Sequence, residues 1–369
     1  MATIVQVGEH CFGCTACVHI CPVSCIRMVQ DTRGFLYPVV DESQCIDCGL
    51  CLQVCPFVTD SNLGSELFPE TLAYAAKHTD DATRRQSSSA GAFTAISEYV
   101  LGQQGVVYAA GYDDDLTVCH VRAISIEQRN LLRGSKYVQS NLGDTFKDVE
   151  HDLKHDLFVL FTGTPCQVAG LRNYLQKEYE TLLLVDLICH GVPSQKVFKD
   201  YLDLVESLEG SSITSCTFRD TSKGWRNLAM NLGFASGSKI IDASNSSYYT
   251  LFVNGTILRP CCYECKFSNF DRSGDITIGD FWGIEKTLPQ FEDEQGVSLI
   301  LVNSHKGETI FRSVSDHLTC IQSTHADCLQ HSLYAPTRAH ANKDAFWKDY
   351  GEHGYQYAGK KYGGGEMHP

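Results

Sequence analysis

Cys11, Cys14, Cys17 and Cys21, followed by Pro22, spell C-x2-C-x2-C-x3-C-P, and Cys45, Cys48, Cys51 and Cys55, followed by Pro56, repeat it. This is the bacterial two-cluster run, in which the fourth cysteine of each run ligates the other 4Fe-4S cluster. The pairing predicts cluster one on Cys11, Cys14, Cys17 and Cys55, and cluster two on Cys45, Cys48, Cys51 and Cys21. Three thiolates close in sequence wrap one face of a cubane, while a distant fourth closes the site and ties the two halves together. Thiolates are the soft ligands that such clusters select. Gly13 and Gly49 lie inside the loops, where a side chain would obstruct backbone passing close to inorganic sulfide. Zinc is the competing metal, but its sites draw on two ligand pairs rather than a repeated four-cysteine run. Cys25 fits neither quartet and reads as a small buried residue beside a cluster.

A further set of cysteines lies downstream. DLFVLFTGTPCQVAGLRNYL reads as an apolar strand, a tight turn carrying Cys166, and a helix; ETLLLVDLICHGVPSQKVFKDYLDLV repeats the arrangement with Cys189 in the turn. RPCCYECKF supplies Cys262 and Cys265 as a C-x2-C, with Cys261 beside them. Four thiolates are enough for one more cluster. Spacing alone leaves open buried or reactive thiols, or zinc on the C-x2-C. Upstream, RRQSSSAGAFTAISEYVLG joins a Ser/Gly loop to an amphipathic helix, with Ala92, Ile96, Tyr99 and Val100 at helical spacing and Gly105 beyond its end. Free N–H groups at such a helix start suit a phosphate or pyrophosphate. An ordinary capped helix has the same sequence signature.

These residues need elements to position them. Residues 1–60 read as a ferredoxin domain with a hairpin turn at Arg33-Gly34, residues 61–70 as a linker, residues 71–340 as a mixed α/β domain, and residues 341–369 as a C-terminal tail without periodicity. The fold class expected is therefore α+β and α/β: a two-cluster ferredoxin fold followed by a mixed α/β domain whose sites sit at strand C-terminal ends, a domain that the resemblance given below implies is flavin- and cluster-binding. The chain has 369 residues, 43% of them hydrophobic, and a formal charge of −14. Its acidity argues against nucleic acid, which requires clustered Lys and Arg. No apolar run approaches the roughly 18 residues of a membrane span, and MATIVQVGEHCFGC is not built like a secretory signal. The expected location is the cytoplasm, where eighteen cysteines point to metal or redox chemistry rather than disulfides.

SSSAGAFTAISEYV, LLRGSKYVQSNLG, LFTGTPCQVAGL, DLICHGVPS, FRDTSKGW, LRPCCYECKF and SGDITIGDFWGI, in this order behind a two-cluster ferredoxin, resemble the beta subunit of the coenzyme F420 hydrogenases and dehydrogenases, in its bacterial single-chain branch. The resemblance covers the chain to about residue 340. It implies a flavoprotein, usually with FAD, in which an iron–sulfur cluster lies beside the isoalloxazine. Carried over by motif, Cys166, Cys189, Cys262 and Cys265 become the ligands of a third 4Fe-4S cluster, with Cys261 the alternative to Cys262. Ser87, Ser88, Ser89, Gly91, Lys136 and Tyr137 become the flavin site, Lys136 answering a phosphate or an anionic reduced flavin. His190 is a candidate proton donor, with a hydrogen-bonded structural role as the alternative. Arg219, Lys223 and Trp225 could line a substrate pocket and recognise an anionic group, or form a solvated basic turn. Asp280 and Trp282 could pack as a corner against the cluster.

The function expected is an iron–sulfur flavoprotein oxidoreductase. Electrons from a low-potential soluble carrier, ferredoxin or F420, pass through the clusters to FAD and on to a small organic substrate. An F420-dependent oxidoreductase using the deazaflavin as hydride partner is the first alternative. A non-catalytic electron-transfer subunit of a larger redox complex is the second. A second copy of the chain remains open as a partner.

Overall fold

The computed structural model describes residues 3–59 and 70–364. The ferredoxin half is held by a two-stranded antiparallel hairpin, β1 (Ile26–Gln30) and β2 (Leu36–Val40), in the register Ile26 opposite Val40. The hairpin turn comes from Asp31, whose carboxylate accepts from the N–H groups of Arg33 and Phe35, and from Gly34 at φ 89°. Both ligand loops use positive φ, at Gly13 (71°) and Gly49 (73°), as the sequence requires of backbone curling around a cluster. The linker expected over residues 61–70 falls almost wholly outside the described residues.

The larger half is built on an eight-stranded mixed sheet. Its strands are β3 (Leu72–His78), β4 (Val106–Tyr112), β5 (Val118–Ala123), β6 (Val159–Gly163) and β7 (Leu182–Leu187), followed, after the three-stranded antiparallel sheet β8 (Ile213–Thr217), β9 (Ala229–Phe234) and β10 (Gly237–Asp242), by β11 (Ile276–Asp280), β12 (Ser298–Val302) and β13 (Leu318–Ser323). The order across the large sheet is β13-β3-β12-β11-β7-β6-β4-β5. The four central strands β4, β6, β7 and β11 are parallel to one another. Parallel strands need both faces covered, so they read as unbroken apolar runs. VLFTG and LLLVD are of that kind, and β6 is buried throughout.

Five helices matter to the site: α1 (Ala92–Gly102), α2 (Pro165–Leu175), α3 (Gln195–Glu209), α4 (Ser247–Val253) and α5 (Lys343–Gly363). Alternation along β4 sends Val107 and Ala109 into a core with Ala92, Ile96 and Val100 of α1. It sends Val106 and Tyr108 to the opposite face, against Val168 and Leu171 of α2. Cys14, Ala16 and Val54 belong to that second core, so the ferredoxin module is packed onto the sheet's α2 face.

The tail does not behave as its sequence suggests. Residues 343–363 form α5, broken at Gly354, where φ is 77°. Phe346, Tyr350, Tyr355 and Ala358 are buried against Phe198 and Tyr201 of α3 and Tyr248 of α4. Periodicity is invisible in the sequence because the break at Gly354 resets the helical phase between the two apolar sets.

Candidate functional site

Cluster two's four predicted ligands, Cys21, Cys45, Cys48 and Cys51, line one shallow pocket with Cys25 and Gly49. Cys48 is exposed. Cys25 is buried, with its sulfur 3.5 Å from that of Cys21. Cys14, Cys17 and Cys55 are buried. Burial pushes the Cys14 thiol up, and the charges of Cys17, Cys11 and Cys55 act on it in the same direction. The two predicted quartets pack against each other, that of cluster two the more exposed and that of cluster one the more buried.

The four downstream cysteines converge as a third group. Cys166 lies in the first turn of α2, whose start is fixed by Pro165 and by a reciprocal Thr164–Gln167 capping box. Its thiol is pushed well up by burial, and Cys265, Cys189 and Cys262 add to the effect. Burial lifts the Cys189 thiol to about 12. A hydrogen bond with Cys261, followed by burial, raises Cys262. Cys189 sits six residues before α3 rather than at its first turn, as the sequence suggested. The shared sheet end still brings it to Cys166, because β6 and β7 are parallel neighbours. Cys261 packs beside the group and acts on Arg259 and Tyr37, but it is not among the thiols acting on Cys166.

Four converging, half-buried cysteines with raised thiol pKa values are costly to ionise unless a cation converts them to thiolates, which a coordinated metal does outright. All eighteen cysteines are free of disulfides. The donor set and its convergence therefore fit a third iron–sulfur cluster.

Beside this group lies a cavity of about 640 Å³ at the carboxyl ends of β4, β6, β7 and β11, where ligands of open α/β sheets bind. Ser87, Ser88, Ser89, Gly91, Lys136, Tyr137, Cys166, Cys189, His190, Arg219 and Asp280 all line it. Gly91 caps α1 at φ 93°, and a Cβ there would meet His78 Cβ at 2.8 Å. The Ser88 hydroxyl accepts from Ser135 N–H at 2.8 Å, tying the Ser/Gly loop to the Lys136 loop. Among the described residues no acceptor is found for the N–H groups of Ser88, Ser89 and Gly91. This is the donor arrangement a pyrophosphate uses at a helix start. Lys136 donates to the carbonyls of Leu132 and Arg133, both at 2.9 Å. Desolvation brings its pKa down to about 7, against the pull of Cys216.

Other expected residues are redirected. Arg219 is 5% exposed and pairs with Asp280 at 2.7 Å, donating also to the Tyr137 hydroxyl and Trp225 carbonyl. Its charge is already answered, so it braces the cavity wall rather than waiting for an anion. Lys223 is exposed and pairs with Asp242. Trp225 is buried and stacks on Trp282 with ring centroids 4.7 Å apart. His190 donates from Nε2 to the Phe252 carbonyl at 3.1 Å and meets the Thr337 hydroxyl at Nδ1. Burial lowers its pKa. Both nitrogens are engaged by protein, which favours the structural role over proton delivery.

Sequence reasoning missed His120, Gln139 and Arg259. His120 lines the cavity between Ser140 and the Thr162 carbonyl, its pKa lowered by burial to about 4. Arg259 is buried two residues before the cysteine pair, where a cation in an apolar, cysteine-rich stretch was the available signal.

The geometry defines an iron–sulfur protein of the oxidoreductase kind: a dicluster module packed on an α/β domain, with a third cysteine quartet beside a cavity. Residues 157–324 match the family described as the carboxyl-terminal part of the "Coenzyme F420 hydrogenase/dehydrogenase, beta subunit", and residues 10–58 match the "4Fe-4S dicluster domain". Residues 157–324 of the chain belong to the coenzyme F420 hydrogenase/dehydrogenase beta-subunit family. The chain's ferredoxin half resembles a seven-iron ferredoxin of Hydrogenibacillus schlegelii, 40% identical over 52 residues, which are 14% of this chain and 60% of that protein. An uncharacterised protein of Porphyra purpurea is 44% identical over 52 residues, 14% of this chain and 69% of that one. A chain of the F420-reducing [NiFe] hydrogenase complex from Methanosarcina barkeri is 18% identical, with a TM-score of 0.46, covering 78% of this chain and 90% of that one. Among the described residues, no helix is long and apolar enough to cross a membrane.

Proposed function

We propose that this protein is an iron–sulfur flavoprotein oxidoreductase. It takes single electrons from a soluble low-potential carrier through cluster two, cluster one and the third cluster to FAD in the 640 Å³ cavity, and from there to a small organic substrate. The observation that carries the reading is that one cavity is walled both by the Ser/Gly loop with Lys136 and by Cys166 and Cys189. A flavin, when bound, converts one-electron traffic into two-electron chemistry.

The chain's own residues would do the rest. The free N–H groups of Ser88, Ser89 and Gly91 hold the pyrophosphate. Lys136 supplies a cation whose pKa of about 7 lets it hold or release a proton near neutrality. The Arg219–Asp280 pair and the Trp225–Trp282 stack stiffen the wall through which substrate would approach. Trp282 is 37% exposed and Leu187 also 37%, so the mouth offers an apolar face to a substrate ring.

Cluster two suits the electron entrance because Cys48 and Ile46, the latter 60% exposed, stand at the surface. The test is anaerobic purification with flavin and iron analysis. About twelve iron atoms, four per cluster, with one FAD support the proposal; about eight iron atoms and no flavin spectrum would remove it. The family's description favours a second reading in which the deazaflavin F420 is the hydride partner. Bleaching of F420 by the reduced protein would support it, and no reaction while another substrate turns over would exclude it.

A further inference from the structure

Arg259 is fully buried, at 0% exposure. Its guanidinium donates to three neutral oxygens, Nε to the Cys11 carbonyl at 2.6 Å, Nη1 to Gln139 Oε1 at 3.0 Å, and Nη2 to the Leu36 carbonyl at 2.8 Å, and it acts on the Cys11 thiol. It lies over the Tyr37 ring, 4.4 Å from the centroid. Among the described residues, no carboxylate makes an ion pair with it. Burying an isolated cation is prohibitive, and hydrogen bonds to neutral groups relieve only part of the cost. A compensating negative charge must therefore sit nearby.

The groups placed to supply it are sulfurs. The side chain lies against the loop of cluster one: a Cβ on Gly13 would meet Arg259 Nη1 at 3.1 Å and Gln139 Nε2 at 2.9 Å. Gln139 Nε2 in turn donates to the Phe12 carbonyl at 2.9 Å. The backbone of Arg259 belongs to the third group. Its N–H donates to the Val192 carbonyl, and its own carbonyl accepts from Cys262 N–H, both at 2.9 Å. Phe12, between Cys11 and Cys14 in sequence, packs with Cys166, Cys262 and Cys265. One guanidinium thus stands between the ligand loops of two clusters, each of which carries net negative charge and gains one more on reduction.

We propose that Arg259 is the counter-cation shared by cluster one and the third cluster, and that its charge holds both reduction potentials above that of cluster two. This rests on the third cluster of the proposed function. Each hop moves one electron: reduced cluster two is oxidised as cluster one is reduced, then cluster one is oxidised as the third cluster is reduced, and the soluble carrier refills cluster two. A fixed cation beside the inner two stabilises the added electron there, so the charge sets the inward direction. Among the described residues, no Lys or Arg lines the pocket of cluster two. Of the two arginines in residues 3–59, Arg33 is committed to Glu9 and Asp31, and Arg27 is exposed.

The experiment is an anaerobic redox titration of the full-length protein, followed by low-temperature electron paramagnetic resonance, with iron counted in parallel. Arg259→Gln should weaken reduction of cluster one and the third cluster by roughly tenfold each, about 59 mV for a one-electron couple. Cluster two should stay in place, and Arg259→Lys should recover most of the shift. Gln139→Glu places a carboxylate where Nη1 already donates, answering the charge without removing the arginine, and should lower the same two potentials. Unmoved potentials, or an equal shift of all three clusters, would overturn the proposal. If Arg259→Gln does not load iron, Gln139→Glu decides, and inner potentials unchanged in that variant overturn the assignment. Wild-type iron near eight atoms instead of about twelve would count against the third cluster itself, separately from the role of Arg259.

Discussion

Gly170 offers a sharp test of how the ferredoxin module is seated. It lies inside α2, one turn beyond Cys166, where glycine costs about 1 kcal/mol relative to alanine. Helix propensity alone would therefore make Gly170→Ala stabilising. A Cβ at this position would, however, meet Cys14 Sγ at 2.9 Å and Cys14 Cβ at 2.8 Å. The sulfur contact is about 0.6 Å short of the ~3.5 Å at which non-bonded atoms rest. With cluster one bound through it, as the ligand run leads one to expect, Cys14 would be held at its backbone and at its sulfur and could not swing aside like the tip of a lysine. Overpacking of this kind costs about 1–3 kcal/mol, so the net effect is a loss of up to about 2 kcal/mol. Gly351 is the control: it lies within α5, and a Cβ there meets nothing within 4 Å. Gly351→Ala should gain up to about 1 kcal/mol. In anaerobic thermal melts the two variants should move in opposite directions, by roughly 2 °C per kcal/mol or less at this chain length. Gly170→Ala should also broaden or shift the resonance of cluster one while leaving cluster two intact. Equal stabilisation of both variants with an unchanged cluster-one spectrum would refute the seating.

Cys189→Ser should remove about four iron atoms and leave the dicluster spectrum, whereas Cys261→Ser should keep the full complement; equal losses from the two variants would show that the quartet is wrongly drawn. Because the Lys136 pKa stands at about 7 and a bound anion would raise it, flavin binding takes up a proton above pH 7. Affinity should then fall as pH rises, by up to about tenfold per unit, and Lys136→Gln should flatten the profile; a flat wild-type profile would sink the idea. Asp186 and Arg272 are a fully buried pair at 2.8 Å, and Arg272 also holds the Leu187 and Phe267 carbonyls beside Cys189 and Cys265. Asp186→Asn should cost about 3–5 kcal/mol in denaturant melts and shed third-site iron first. The surface around Cys48 carries Asp41, Glu42 and Asp47, so electron transfer from a carrier with a basic rim should slow as ionic strength rises. Stopped-flow rates indifferent to salt would count against that surface as the entrance.

The dicluster module was legible because its ligands are local: a run of eleven residues defines most of each site, and the fold only has to close it. The third quartet spans residues 166 to 265, and no spacing rule covers that distance. Sheet order joins Cys166 to Cys189, because β6 and β7 are parallel neighbours whose carboxyl-end loops meet, and the segment between α4 and β11 brings Cys262 and Cys265 to them. Motif likeness could name these cysteines, yet it could not separate Cys261 from Cys262, which depends on which way two adjacent side chains turn. It also gave Arg219 an anion to bind because the sequence does not reveal that Asp280 already occupies its fork. The helix over residues 343–363 was hidden for a local reason, the change of phase at Gly354.

Where the wire ends is decided by what the last cysteines face. A relay that handed electrons to another protein would keep its terminal cluster near the surface, as cluster two does with exposed Cys48. Cys166 and Cys189 instead line an internal cavity, and Arg259 stands on their inner side, between them and cluster one. On the proposed reading the acceptor is a group that enters this cavity and pairs single electrons, with its phosphate end on the N–H groups of Ser88, Ser89 and Gly91.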